Sequence, residues 1–311
     1  MPKKGLAPII IVLIISLLAA GGVTGYILIK NKKPNQEATN SNPTTTALTT
    51  AIASCDKIEN QEDKGWCYEY VAIAKQDQSI CDKIRTQQPK DECYQQVAAA
   101  KQDASICDKI KYRGIKDECY KGVAIAKRDP SLCDQIKNQD VRDWCYQGVA
   151  IAKQDPSLCD QIKNQENKDV CYKGVAIAKR DPSLCDQIEN QIMRDECYRE
   201  IGEAKLDLSV CDKINGPWHR DYCYATIAAT KQDLSICDQI KNREHKDDCY
   251  IKVAIAKRDP SLCDQIKNQE NKDVCYSGVA IAKQDLSICD KIEDQEIKHD
   301  CYQESLKCRD F

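Results

Sequence analysis

The sequence predicts an all-α chain: an α-solenoid of ten 26-residue, disulfide-linked αα-hairpins behind an N-terminal transmembrane helix. Three observations predict it. A 26-residue unit recurs ten times between residue 51 and the end of the chain. Each unit carries two cysteines whose gaps alternate 12 and 14 residues, from Cys55 and Cys67 through to Cys289 and Cys301. Residues 6–29 form an apolar run without a charge. A fixed period of this size marks stacked repeats, in which each unit buries its apolar face only against its neighbours.

Residues 1–5 are a short basic segment with Lys3 and Lys4. The run that follows opens on Leu6 and closes on Ile29. At about 1.5 Å per residue a helix of this length covers roughly 36 Å, enough to cross a bilayer with some tilt. A cleaved signal peptide is the competing reading, with small residues at Ala19, Ala20 and Gly21, but the apolar run continues past that point to Ile29. The segment is therefore expected to be an anchor through which the chain meets the membrane. The opening KKGLAPIII resembles the N-termini of archaeal surface and pilin-like proteins.

Residues 30–50 are rich in Thr, Asn and Pro and lack periodicity. They read as a flexible stalk below a solenoid spanning residues 51–311. Lys30, Lys32 and Lys33 outnumber Lys3 and Lys4, and lysine counting alone would keep the repeats in the cytoplasm. The cysteines argue the other way. Twenty-one in 311 residues, evenly spaced, suit a disulfide framework in an oxidising compartment. Residues 34–311 are therefore expected outside the cytoplasm. Net charge is −3 overall, with the basic excess confined to the first 37 residues. The acidic, charge-mixed remainder excludes nucleic acid as an expected partner.

Repeat four, residues 129–154, shows the unit. Asp129 suits an N-cap and Pro130 the first helical position. A short helix carries Leu132, Cys133 and Ile136 on one side, and a polar turn at residues 137–140 follows. A longer helix then runs to about Lys153, with Val141, Cys145, Gly148, Val149 and Ala152 on one face, widened by Tyr146 and Ala150. The stretch from Val149 to Ala152 is apolar nearly all round, as a helix packed between neighbours requires. Alanines at Ala72, Ala98, Ala124, Ala150 and Ala176 allow close approach between layers.

Cys133 and Cys145 lie at equal distances from the hairpin turn and so side by side, whereas Cys145 and Cys159 are offset by about five residues, beyond disulfide reach. Ten bridges within repeats are predicted: Cys55–Cys67, Cys81–Cys93, Cys107–Cys119, Cys133–Cys145, Cys159–Cys171, Cys185–Cys197, Cys211–Cys223, Cys237–Cys249, Cys263–Cys275 and Cys289–Cys301. Cys308 is left over, read as a buried free thiol or, alternatively, as an intermolecular bridge that makes a dimer.

Four positions keep their chemistry in all ten repeats: Asp after the first cysteine, Ile three residues after it, Tyr after the second cysteine, and Lys or Arg three residues before the second. Such a ladder has two readings. It presents repeated groups to an extended ligand, or it serves the scaffold, with Asp–Lys/Arg pairs tying helices and Tyr packing between units. Recurrence in every unit favours the scaffold.

Catalytic and metal motifs are absent. His219, His245 and His299 stand outside any triad or ligand spacing, and there is no CxxC, GxSxG or HExxH. No enzyme activity, cofactor or metal is expected. The seventh unit departs from the pattern, with Trp218, His219, Arg220 and Tyr222 following a Gly-Pro turn. Trp, Tyr and Arg are typical binding anchors, so these four are the candidate binding residues.

The hairpin stack resembles tetratricopeptide and Sel1-like solenoids in architecture, although their units are longer. The phrase CDxI–CY–AxAK–DPSxC resembles repeats in uncharacterised membrane-anchored proteins of archaea and candidate-phylum microbes. That resemblance implies location and fold and no activity. The expected function is a cell-surface scaffold that binds a protein or extended ligand. A passive envelope spacer is the first alternative, and a thiol protein that stores metal or exchanges disulfides the second.

Overall fold

A computed structural model describes residues 51–307. The expected basic segment 1–5, anchor 6–29 and stalk 30–50, and the leftover Cys308, lie outside the described residues. Among the described residues no helix is long and apolar enough to cross a membrane.

Each repeat contributes one long helix. These are α1 (Gln61–Lys75), α2 (Gln87–Lys101), α3 (Arg113–Lys127), α4 (Gln139–Lys153), α5 (Gln165–Lys179), α6 (Gln191–Lys205), α7 (Pro217–Lys231), α8 (Arg243–Lys257), α9 (Gln269–Lys283) and α10 (Gln295–Lys307). The described residues are all-α, without strands, and every extensive contact between elements falls within a repeat or between successive repeats. That is the one-dimensional stacking expected of an array.

In eight repeats the first arm of the hairpin differs from the expected α-helix. In repeat four it is a six-residue 3-10 helix, Pro130–Gln135, and Ile136 beyond it is extended. The reason is local. Asp129 accepts from the backbone N–H of Ser131 at 3.1 Å and from its hydroxyl at 2.7 Å, and the Cys133 carbonyl accepts from Ile136 N at 3.1 Å, three residues on. These bonds close the segment before an α-helical ladder is established. Repeat seven keeps a single α-turn there, Leu208–Cys211.

Asn138 caps α4 by accepting from Val141 N at 3.1 Å. The helix ends at Gln154, which is left-handed at φ 55°. Gln154 N donates to the Ile151 carbonyl and Asp155 N to the Ala150 carbonyl, the paired bonds of a Schellman end. Nine repeats end this way on a residue other than glycine, Leu206 among them. Every such end feeds directly into the Asp cap of the next repeat.

Each first cysteine is bridged to the second cysteine of its own repeat, in ten disulfides with Cα–Cα separations from 5.5 to 5.9 Å. With Cys133, Ile136, Cys145, Val149 and Ala150 all fully buried, the core of repeat four is small residues around sulfur. Val141, Gly148 and Ala152, expected on the same face, are only half-buried. The buried face is rotated toward Asp143, Cys145 and Tyr146, because each long helix is covered by both neighbours. Gly148 illustrates the second contact: a Cβ there would lie 2.4 Å from Cδ1 of Ile125 in the preceding repeat. Gly174 stands in the same relation to Ile151 and Gly278 to Ile255.

The recurrent polar residues serve the scaffold, with a correction to the partners. The Asp after the first cysteine accepts from the Tyr hydroxyl of its own repeat, as in Tyr172–Asp160 at 2.8 Å, and Tyr68–Asp56, Tyr198–Asp186 and Tyr224–Asp212 repeat the pair. Among the described residues only Lys116–Asp108 (3.1 Å) and Lys246–Asp238 (2.9 Å) form the expected ion pair. In repeats one, four, six and ten the Lys or Arg instead reaches a backbone carbonyl of the first arm or turn: Arg142 donates from Nε and Nη2 to the Ile136 oxygen at 2.9 and 2.7 Å. An otherwise unpaired carbonyl in the hairpin turn is the stronger demand.

A further recurrent residue is the buried Asp two positions before the second cysteine: Asp91, Asp117, Asp143, Asp169, Asp195, Asp221, Asp247 and Asp273. Five of these clasp the turn of the next repeat by accepting two successive backbone N–H groups, as Asp143 does from Lys163 at 3.3 Å and Asn164 at 3.0 Å; Asp273 makes a sixth such clasp on Glu293 and Asp294. The last repeat has no successor among the described residues, and its slot holds an exposed His299.

Candidate functional site

The seventh repeat is built differently at its turn. Gly216 takes the N-cap position of α7 without a side-chain cap, and Pro217 opens the helix. Trp218 and Tyr222 lie one helical turn apart on α7 and stack, with ring centroids 5.6 Å apart at 23°. Both are exposed, Trp218 at 56% and Tyr222 at 40%. His219 meets the Trp218 ring edge-on at 4.9 Å. From α8, Lys252 sets its Nζ 3.7 Å from the Tyr222 centroid, and Arg199 on α6 stands 5.8 Å away. Cations over an aromatic face are attracted by its quadrupole.

A cavity of about 360 Å³ opens beside this stack. Trp218, Tyr222, Ile251 and Val274 supply its apolar walls, so α7, α8 and α9 all contribute. Asp221 and His245 sit in its lining and hold each other at 2.9 Å, Oδ2 to Nδ1. Here the buried Asp meets a side chain of the next repeat in place of the turn amides. Asp248 also lines the cavity; burial pushes its carboxyl above the ordinary range, while Lys252 pulls it back.

Of the four candidate residues, the structure brings Trp218 and Tyr222 together at the cavity. His219 buttresses Trp218 and does not line the cavity. Arg220 does not line the cavity; it occupies the Lys/Arg slot found in all ten repeats, three residues before the second cysteine, and its Nε lies 3.9 Å from Asp221.

Sequence reading missed Ile251, Lys252, His245 and Val274. A signal for them exists. The residue two after the second cysteine in one repeat faces the residue before the second cysteine in the next. Lys121 accordingly stands over the Trp144 ring at 5.6 Å, and Lys173 bonds Glu196 at 2.7 Å. The first of these positions is polar or charged everywhere except at Ala225 and Ile251. Those two open the apolar patch.

No group of three or more His, Cys, Asp or Glu among the described residues is arranged to hold a metal ion. Comparison with protein-family models, with curated proteins and with solved structures gives no match.

Proposed function

We propose that this chain is a membrane-anchored, extracytoplasmic interaction scaffold, with residues 6–29 as the anchor and residues 34–311 outside the cytoplasm. It holds out the α7–α9 groove to an apolar side chain of an extended protein partner. The observation that carries the reading is the exposed Trp218–Tyr222 stack beside an apolar-walled cavity. Large exposed aromatics backed by a concavity are the usual anchors of recognition. The ten disulfides support an oxidising location. They also engage twenty of the twenty-one cysteines, which removes the thiolates that a metal store would need.

A passive spacer is the second reading, favoured by how many residues of each unit are committed to the scaffold. Photo-crosslinking of the full chain on intact cells separates the two. An interaction scaffold loses a crosslinked partner when Trp218 and Tyr222 become Ala and keeps it when the exposed Trp66 and Trp144 are changed. A profile identical in all variants leaves the spacer.

A further inference from the structure

Repeat three lacks two interactions that most turns have. In repeats two, four, five, six and nine a Gln opens the long helix and donates to the buried Asp, as Gln139 does to Asp143 at 2.7 Å and Gln165 to Asp169 at 2.8 Å. In repeat three this residue is Arg113, which is exposed and makes no such bond. The residue before it, Asn in most repeats, is Tyr112, which gives no side-chain cap and is 52% exposed. Repeat three thus forgoes a cap and a bond to a buried carboxylate, each a stabilising interaction.

What replaces them is charge. Lys111, Arg113, Lys116 and Lys137 line one cavity of about 370 Å³ together with Asp108 and Asp117. Both carboxylates are already engaged. Asp108 accepts from the Tyr120 hydroxyl at 2.7 Å and pairs with Lys116 at 3.1 Å, contacts that hold its carboxyl below the ordinary range. Asp117 clasps the backbone of Lys137 and Asn138. Among the described residues, the side chains of Lys111, Arg113 and Lys137 make no hydrogen bond or ion pair. Three uncommitted cations therefore share a concavity in a chain whose repeats are acidic on balance. The same cation set recurs in repeat eight, where Arg243 replaces the Gln, Lys241 and Lys267 match Lys111 and Lys137, and Lys246 pairs with Asp238.

We infer that the turns of repeats three and four form a binding site for a tetrahedral oxyanion, a sulfate or phosphate ester, held by Lys111, Arg113 and Lys137. The Arg fork suits two oxygens of such a group, and the lysines supply point charges. The site is separate from the α7–α9 groove.

Lysine acetylation footprinting of the full, oxidised chain tests it, with a sulfated disaccharide and a sugar phosphate as probes. The expected result is that one of them slows modification of Lys111 and Lys137 by about tenfold, the effect of one charge-assisted bond, while Lys75 and Lys101 react unchanged. The ester that protects more strongly is the one the site takes. Arg113→Gln restores the residue usual at this position and so keeps the fold; it is expected to abolish the protection. Equal acetylation rates with and without both probes, or protection that survives Arg113→Gln, would overturn the proposal.

Discussion

Asp169 Oδ2 accepts the backbone N–H of Asn190 at 2.8 Å, across twenty-one residues and one repeat boundary. The same carboxylate takes Glu189 N at 3.0 Å and Gln165 Nε2 at 2.8 Å. It therefore joins the long helix of one repeat to the hairpin turn of the next, and the repeats are coupled by buried charge–amide bonds as well as by apolar contact.

Asp169→Ala removes all three bonds and leaves two amides without their acceptor. A loss of about 2–3 kcal/mol at that junction is expected. In a stacked array the loss is local, so hydrogen exchange at Glu189 and Asn190 is the appropriate measurement. Protection equal to that of Asp300→Ala, which changes an exposed acid, would refute the clasp.

The disulfides substitute for a large core. Replacing Cys159 and Cys171 together by Ala is expected to cost about 3 kcal/mol, the chain-entropy value for a loop of this size. Denaturant unfolding of the oxidised protein measures it. Peptide mapping without reductant checks the pairing itself, and recovery of Cys145 joined to Cys159 contradicts it.

Gly174 leaves room for Ile151, whose Cδ1 would lie 2.5 Å from a Cβ at that position. Gly174→Val is expected to destabilise by about 1–3 kcal/mol through overpacking. Adding Ile151→Ala should recover part of that loss, with a coupling of about 1 kcal/mol in a double-mutant cycle. Strict additivity would mean that the two residues do not touch.

The Tyr–Asp pairs predict an alkaline transition. Burial, then the bond to Asp108 and its charge, push the Tyr120 phenol from 10.0 to about 12, and Tyr146 and Tyr172 behave alike. A phenol raised in the folded state binds its proton more tightly there than in the unfolded chain. Its stabilising contribution is whole below pH 10 and is lost as pH rises toward 12. Phenolate absorbance should therefore rise later in native than in denaturant-unfolded protein, with stability falling in the same window. Superimposed titration curves would remove the tyrosines from the scaffold.

Sequence by itself determined the frame of one repeat, though not the 3-10 form of its first arm or the Tyr–Asp pairing. The period, the pairing of Cys133 with Cys145, the Asp129 cap and the extent of α4 all depend on separations of about a dozen residues or fewer, which hairpin symmetry fixes. Trp218 and Tyr222 were legible at the candidate site because one helical turn separates them. Only tertiary structure decided what crosses between repeats: the grip of Asp169 on Asn190, the seat of Ile151 against Gly174, and the closure of the groove by Ile251, Lys252 and Val274. Those contacts join residues about 21 to 56 positions apart. The rotation and offset with which one hairpin settles on the next set those separations, and a repeat period carries no record of either.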